Sequence, residues 1–173
     1  MQIRYLDGPR LRRSLIAACD YAQRFRGELN RINVFPVPDG DTGTNLALTV
    51  QSIADHLRNN RARSVSVVAS NAARAAVLGA RGNCGMMLSH FLLGFADDLE
   101  GYDRVETARF GEALGAGAKN LYDALERPVE GTILTVIRDT ADAADESGIP
   151  DFAPLLELLV ERARDSLANT PEL

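Results

Sequence analysis

The spacing of the apolar residues constrains this chain most: along almost its whole length they recur at steps of three and four. Leu11, Leu15, Ala18, Ala22, Phe25, Leu29 and Ile32 make one such stripe. In an α-helix that spacing keeps side chains on one face, so the stripe predicts a single long helix with one face turned to a core. Asp7 and Pro9 provide start chemistry just before it: a side-chain acceptor for unpaired amides and a φ already set for a helix. The same reading predicts helices over 44–60, 64–78, 83–97, 103–125, 132–147 and 152–169. The third is alanine-rich and suited to close packing. The fifth opens on Asp103 and Glu106 at capping-box spacing. Gly111, Gly115 and Gly117 inside the fifth each cost about 1 kcal/mol relative to alanine, which close helix packing would offset. No segment alternates long enough for a strand. The expected fold is all-α, one bundle of about seven helices over residues 1–173.

Composition excludes several classes of function. A chain of 173 residues, 46% of them hydrophobic, fits one ordinary domain rather than a disordered segment. No run approaches the roughly 20 apolar residues of a membrane span, and the first residues lack a signal peptide's apolar stretch. The net charge of −5 argues against a general nucleic-acid binder. Cys19 and Cys84 show no zinc or disulfide spacing and suit a reducing cytoplasm. His56 and His90 have no identifiable catalytic partner and are read as structural. Of the 19 basic residues a single one, Lys119, is lysine, which limits the phosphate-binding chemistry open to the chain.

Three loops interrupt the helical pattern. The first runs Asn33-Val-Phe-Pro-Val-Pro-Asp-Gly-Asp-Thr-Gly-Thr-Asn45. Pro36 and Pro38 stiffen it, and Gly40 separates Asp39 from Asp41. Two adjacent carboxylates repel unless solvent or a cation intervenes, and Mg²⁺ favours such oxygen ligands. A helix follows directly, so the amides of Thr42, Gly43, Thr44 and Asn45 are candidates to face an anion. The alternative is that Asp41 or Thr42 caps that helix while Asp39 sits in a turn. An EF-hand is excluded because Thr44 and Val50 stand where its glycine and terminal glutamate belong.

The second loop, Gly79-Ala-Arg-Gly-Asn-Cys-Gly85, has glycine at every third position between two helices. This spacing lets amides turn toward phosphate, although a plain tight connection reads equally well. It lacks the Gly-Lys-Ser/Thr ending of a Walker A loop. The third loop, Pro128-Val-Glu-Gly-Thr132, opens a helix with Thr132 as a natural N-cap. Ile133 is either core or one wall of an apolar slot for a purine.

Taken together and in this order, the three loops resemble the nucleotide-binding domain of the dihydroxyacetone-kinase (DhaL-like) family, and within it the fatty acid kinase (FakA-like) branch. The resemblance implies an antiparallel helical barrel whose loops at one end hold ATP or ADP through Mg²⁺. It matches Asp39 and Asp41 to the metal-binding, catalytic carboxylates. It matches Thr42, Gly43, Thr44 and Asn45 to the phosphate-side segment, and Asn83 and Cys84, shaped by Gly82 and Gly85, to a second nucleotide-contacting loop. Thr132 and Ile133 fall near the base.

The chain also departs from the family. Asn33 stands near where the glycerone kinase branch has a further metal aspartate, so either the coordination differs or Asn33 is the third oxygen ligand. Cys84 replaces the usual serine. Relatives continue into another helix, so the chain is expected to lack its last one. The implied activity is transfer of the γ-phosphate to a fatty-acid carboxylate presented by a FakB/DegV-like lipid-binding protein or fused domain, or otherwise to glycerone. The rival expectation is a nucleotide-responsive interaction module with little turnover. A homodimer is an open assembly, and neither nucleic acid nor membrane insertion is expected.

Overall fold

The computed structural model describes residues 2–33 and 38–172; Val34 and Pro36, part of the first loop's stiffening, lie outside them. The described residues hold eight α-helices and one two-residue strand pair, an all-α architecture. Helix α1 (Gly8–Gln23) begins as the sequence predicts: Asp7 accepts the Arg10 amide and proline occupies the first turn. The predicted single helix through Ile32 is two. The chain breaks at Arg24, whose amide turns back to the carbonyls of Tyr21 and Ala22, and resumes as α2 (Arg26–Ile32). Phe25 and Ile32, expected in the core, are exposed at 37% and 64%, and no residue of α2 is buried. Periodicity records which face a residue occupies but not a change of axis. Here the axis must turn so that α2 lies across the next helix.

That helix is α3 (Thr42–Arg58), followed by α4 (Val65–Gly79), α5 (Gly82–Asp98), α6 (Thr107–Asp123), α7 (Ile133–Glu146) and α8 (Phe152–Asn169). Five starts and ends fall within about two residues of the sequence expectation. The exception is the start of α6. Arg104-Val105 pairs as strand β2 with β1 (Leu6–Asp7) in antiparallel register, so Glu106 rather than Asp103 is the N-cap, and no side-chain cap bond forms. The capping box is therefore absent. The glycine packing predicted for α6 holds at Gly111, against the α7 backbone, and at Gly117, against Phe91, but nothing approaches Gly115 within 4 Å.

From α3 onward each helix packs on the one before it, and α1 lies on α3 and α4. Short connections between packed neighbours make their directions alternate. At one end the starts of α1, α4, α6 and α8 gather. Gly8 N–H donates to the Arg63 carbonyl, Val65 N–H to that of Asp103, and Phe152 N–H to that of Ile3. At the other end stand the starts of α3, α5 and α7, which carry the three unusual loops. Alternation thus assembles loops far apart in sequence.

The core runs through Ile53, Leu57, Leu99, Leu121 and Leu155, with α4 presenting Val65, Val68, Ala72 and Ala76. Helices α1 and α8 start at the same end and so run in the same direction. Between them, floored by Phe91, Phe95 and Phe110, lies an apolar cavity of about 210 Å³. No described helix is long and apolar enough to cross a membrane.

Candidate functional site

Asp41 is the N-cap residue of α3, yet its carboxylate makes no capping hydrogen bond. Helix α2 supplies the caps instead. Asn30 Oδ1 accepts the Thr44 amide at 3.0 Å, while its Nδ2 donates to Thr44 Oγ1 at 3.0 Å, where Arg26 Nε also donates. Asn33 Oδ1 accepts both the Thr42 amide at 3.1 Å and the Thr42 hydroxyl at 2.5 Å. The Asn45 amide closes on the Asp41 carbonyl. The expectation that the amides of Thr42, Thr44 and Asn45 face an anion is thereby corrected: each already has a partner inside the protein. Gly43 is buried under α2, where a Cβ would stand 2.1 Å from the Arg26 carbonyl oxygen. Gly43 and Thr44 therefore serve the α2–α3 contact.

The start of α5 is different. Its N-cap, Arg81, provides no side-chain cap, and Gly82 takes a left-handed φ of 60° that a side chain would strain. The first amides of a helix have no intrahelical partners, and together with the helix dipole they favour an anion. This helix start forms one wall of a cavity of about 220 Å³. Gly82, Asn83 and Cys84 line that wall, and Asn33, Asp39, Asp41, Thr42 and Asn45 line the other. Cys84 Sγ spans the two walls at 3.7 Å from the Thr42 carbonyl. Burial pushes its thiol pKa up, two local backbone hydrogen bonds act against that, and Asp41 adds to it, so Cys84 is a neutral donor at pH 7.

Asp39 and Asp41 are exposed at the mouth of this cavity, and neither has an ion pair among the described residues. Asp39 Oδ1 accepts the Asp41 amide at 3.4 Å, a long contact that ties the turn together. Two hard carboxylates on one rim, with no arginine neutralising them, fit a divalent cation. The described residues contain no group of three or more His, Cys, Asp or Glu poised for a metal. Asp39 and Asp41 are the side chains that could hold a cation there, while Asn33 Oδ1 lines the same cavity already accepting two bonds from Thr42.

The third loop lies at the same end but outside the cavity lining. Thr132 caps α7 as predicted, its hydroxyl oxygen accepting the Leu134 amide, and Ile133 is half-exposed. Glu130, which sequence reasoning passed over, holds this loop. It accepts from Thr135 Oγ1 at 2.5 Å, Arg138 at 2.7 Å and Tyr122 at 3.2 Å. The Thr135 bond is the main reason its carboxyl sits below the ordinary range. Gly85 is likewise structural, buried where a Cβ would meet Thr49 Oγ1 at 2.6 Å. Of the sequence-derived candidates, Asn33, Asp39, Asp41, Thr42, Asn45, Gly82, Asn83 and Cys84 meet in one cavity; Gly43, Thr44, Gly85, Thr132 and Ile133 lie outside its lining.

Residues 36–173 match the DAK2 domain family. An uncharacterized protein of Staphylococcus saprophyticus is 38% identical over 170 residues, covering 97% of this chain and 31% of that protein. Uncharacterized proteins of Staphylococcus aureus, strains USA300 and MRSA252, are each 39% identical over 147 residues, or 84% of this chain and 27% of theirs. The chain thus spans less than a third of the length of these relatives. The match over most of its residues and the all-α bundle with its loop-end cavity lead to one conclusion: the chain belongs to the DAK2 domain family, the nucleotide-binding module of dihydroxyacetone-kinase-like systems.

Proposed function

We propose that this chain is the Mg-ATP-binding domain of a phosphotransferase of the fatty acid kinase kind. One observation carries the reading: among the described residues, two carboxylates without ion-pair partners share a cavity with a helix start that no side chain caps. Asp39 and Asp41 would hold Mg²⁺; Asn33, the third candidate ligand, would exchange one of its two Thr42 hydrogen bonds for the ion. When bound, Mg²⁺ supplies neutralisation of the charge that develops as the γ-phosphoryl group transfers. The first-turn amides of α5 and the side chains of Asn45, Asn83 and Cys84 hold and orient the phosphates, which is catalysis by placement and electrostatics. Thr132 and Ile133, at the same end, face the base side. No lysine is needed for any of this.

The acceptor oxygen forms a bond to the γ-phosphorus as the bond to the β-phosphate oxygen breaks and ADP leaves. A fatty-acid carboxylate, presented by a FakB/DegV-like lipid-binding protein or a fused domain, arrives ionised and requires no general base; the product is an acyl phosphate. The wording of all three loops favours this acceptor over glycerone. The greater length of the relatives leaves room for a fused domain.

The domain boundary follows the same reading. The apolar cavity between α1 and α8 is where we place one further helix.

Thermal unfolding with ATP, with and without Mg²⁺, tests binding. Nucleotide at 100 times its dissociation constant adds about 2.7 kcal/mol of stability. A Mg²⁺-dependent rise is expected, and an unchanged midpoint contradicts the reading. Phosphate transfer to palmitate in the presence of a DegV-like protein then identifies the enzyme. Binding without transfer to any acceptor identifies a nucleotide-responsive module instead.

A further inference from the structure

Thr49 is not among the residues that line the cavity. It is 0% exposed, one turn beyond Asn45 on α3, and its hydroxyl is used in both directions. Oγ1 donates to the Asn45 carbonyl at 2.8 Å and accepts the Arg81 amide at 3.1 Å. Asn45 belongs to the carboxylate wall of the cavity, and Arg81 is the N-cap residue of the amide wall. A threonine back-bond to the carbonyl four residues earlier is ordinary in a helix. A second bond to an amide 32 residues away, at the start of another helix, is not a local preference.

Two glycines close the same seam. A Cβ on Gly82 would lie 2.7 Å from Asn45 Nδ2, and one on Gly85 would lie 2.6 Å from Thr49 Oγ1. The start of α5 is therefore pressed against one face of α3, and Thr49 provides the polar contact at the buried centre of that face.

We infer that Thr49 is a positioning residue: a strut that sets the separation and register of the cavity's two walls, so that a cation on Asp39 and Asp41 and phosphates on the α5 amides fit one ligand. This inference rests on the proposed nucleotide site. It predicts an effect that mere stabilisation would not produce. A metal ion alone touches the carboxylate wall, whereas a metal-nucleotide complex must engage both walls.

The test compares Thr49→Val, which keeps the shape and loses the hydroxyl, with Thr49→Ser, which keeps the hydroxyl. Three readouts are taken below the unfolding transition: Mn²⁺ affinity, Mn-ADP affinity, and hydrogen exchange of the Arg81–Gly85 amides. Thr49→Val should weaken Mn-ADP about tenfold, the scale of one buried hydrogen bond, and leave Mn²⁺ within about twofold. It should also speed exchange at Arg81 at least about tenfold, while Thr49→Ser restores wild-type values. Equal weakening of Mn²⁺ and Mn-ADP, or a Thr49→Ser protein no better than Thr49→Val, overturns the strut. If the wild-type protein itself binds no Mn-ADP, the nucleotide reading fails. The exchange at Arg81 then still decides whether Thr49 couples the helices.

Discussion

Asp41 stands where helix caps usually stand and does not cap. That separates two interpretations of the same aspartate. If its carboxylate served the fold as a cap, Asp41→Ala would cost about 1 kcal/mol. The cap bonds come from Asn30 and Asn33 instead, so Asp41→Ala should leave helicity and the unfolding midpoint nearly unchanged. It should weaken Mg-ATP at least about tenfold, the scale of one lost charge-assisted contact. Calorimetric titration beside a thermal scan checks both, and a large drop in midpoint would restore the capping role.

A second residue-scale expectation concerns Cys19. Burial, assisted by Asp20 and opposed by Arg58, moves its thiol from the ordinary 9.0 up to about 11. Between those values the unfolded chain loses the proton and the folded chain keeps it, so stability falls as pH rises. Two pKa units correspond to about 2.7 kcal/mol, an upper figure for the loss between pH 9 and 11. Denaturant unfolding of Cys19→Ala should show a shallower alkaline slope than the wild type. Much of the site was legible at this scale. Asp39 and Asp41 were recognisable by their carboxylate spacing, and Asn45, Asn83 and Cys84 by the resemblance of their loops to the family's. Asn30, Thr49 and Glu130 were not, because their partners lie in other elements or are ordinary helical residues.

The fate of the helix-start amides is decided between elements. Helix α2 lies so close to α3 that Gly43 has no room for a side chain. Gly43→Ala must displace the backbone at Arg26 and should cost about 3 kcal/mol, the upper part of the range for overpacking. Gly115 in α6 meets nothing within 4 Å, so Gly115→Ala should gain about 0.5–1 kcal/mol from helix propensity alone. Chemical denaturation of the two variants gives opposite signs if α2 is docked as described. A stable Gly43→Ala would mean that α2 sits elsewhere. The elements were legible because caps such as Asp7 and Thr132 and the three-to-four apolar spacing are written locally. The break at Arg24 and the Arg104-Val105 strand were not, since each exists to satisfy a neighbour distant in sequence.

At the scale of the molecule, alternation of helix direction explains why loops near residues 40, 82 and 130 share one end while the β1–β2 pair and the chain start share the other. The fold therefore needs no strand or Walker loop to build a phosphate site; it needs packed neighbours and short connections. The cavity's asymmetry follows as well. Its carboxylates come from the helix start that α2 has capped, and its amides from the start that no side chain caps. The most direct test is a crystal structure with Mn²⁺ and a non-hydrolysable ATP analogue, the metal located by its anomalous signal. The account predicts manganese between Asp39 and Asp41 with the phosphates against the first turn of α5. Manganese or phosphates bound away from that cavity would contradict it.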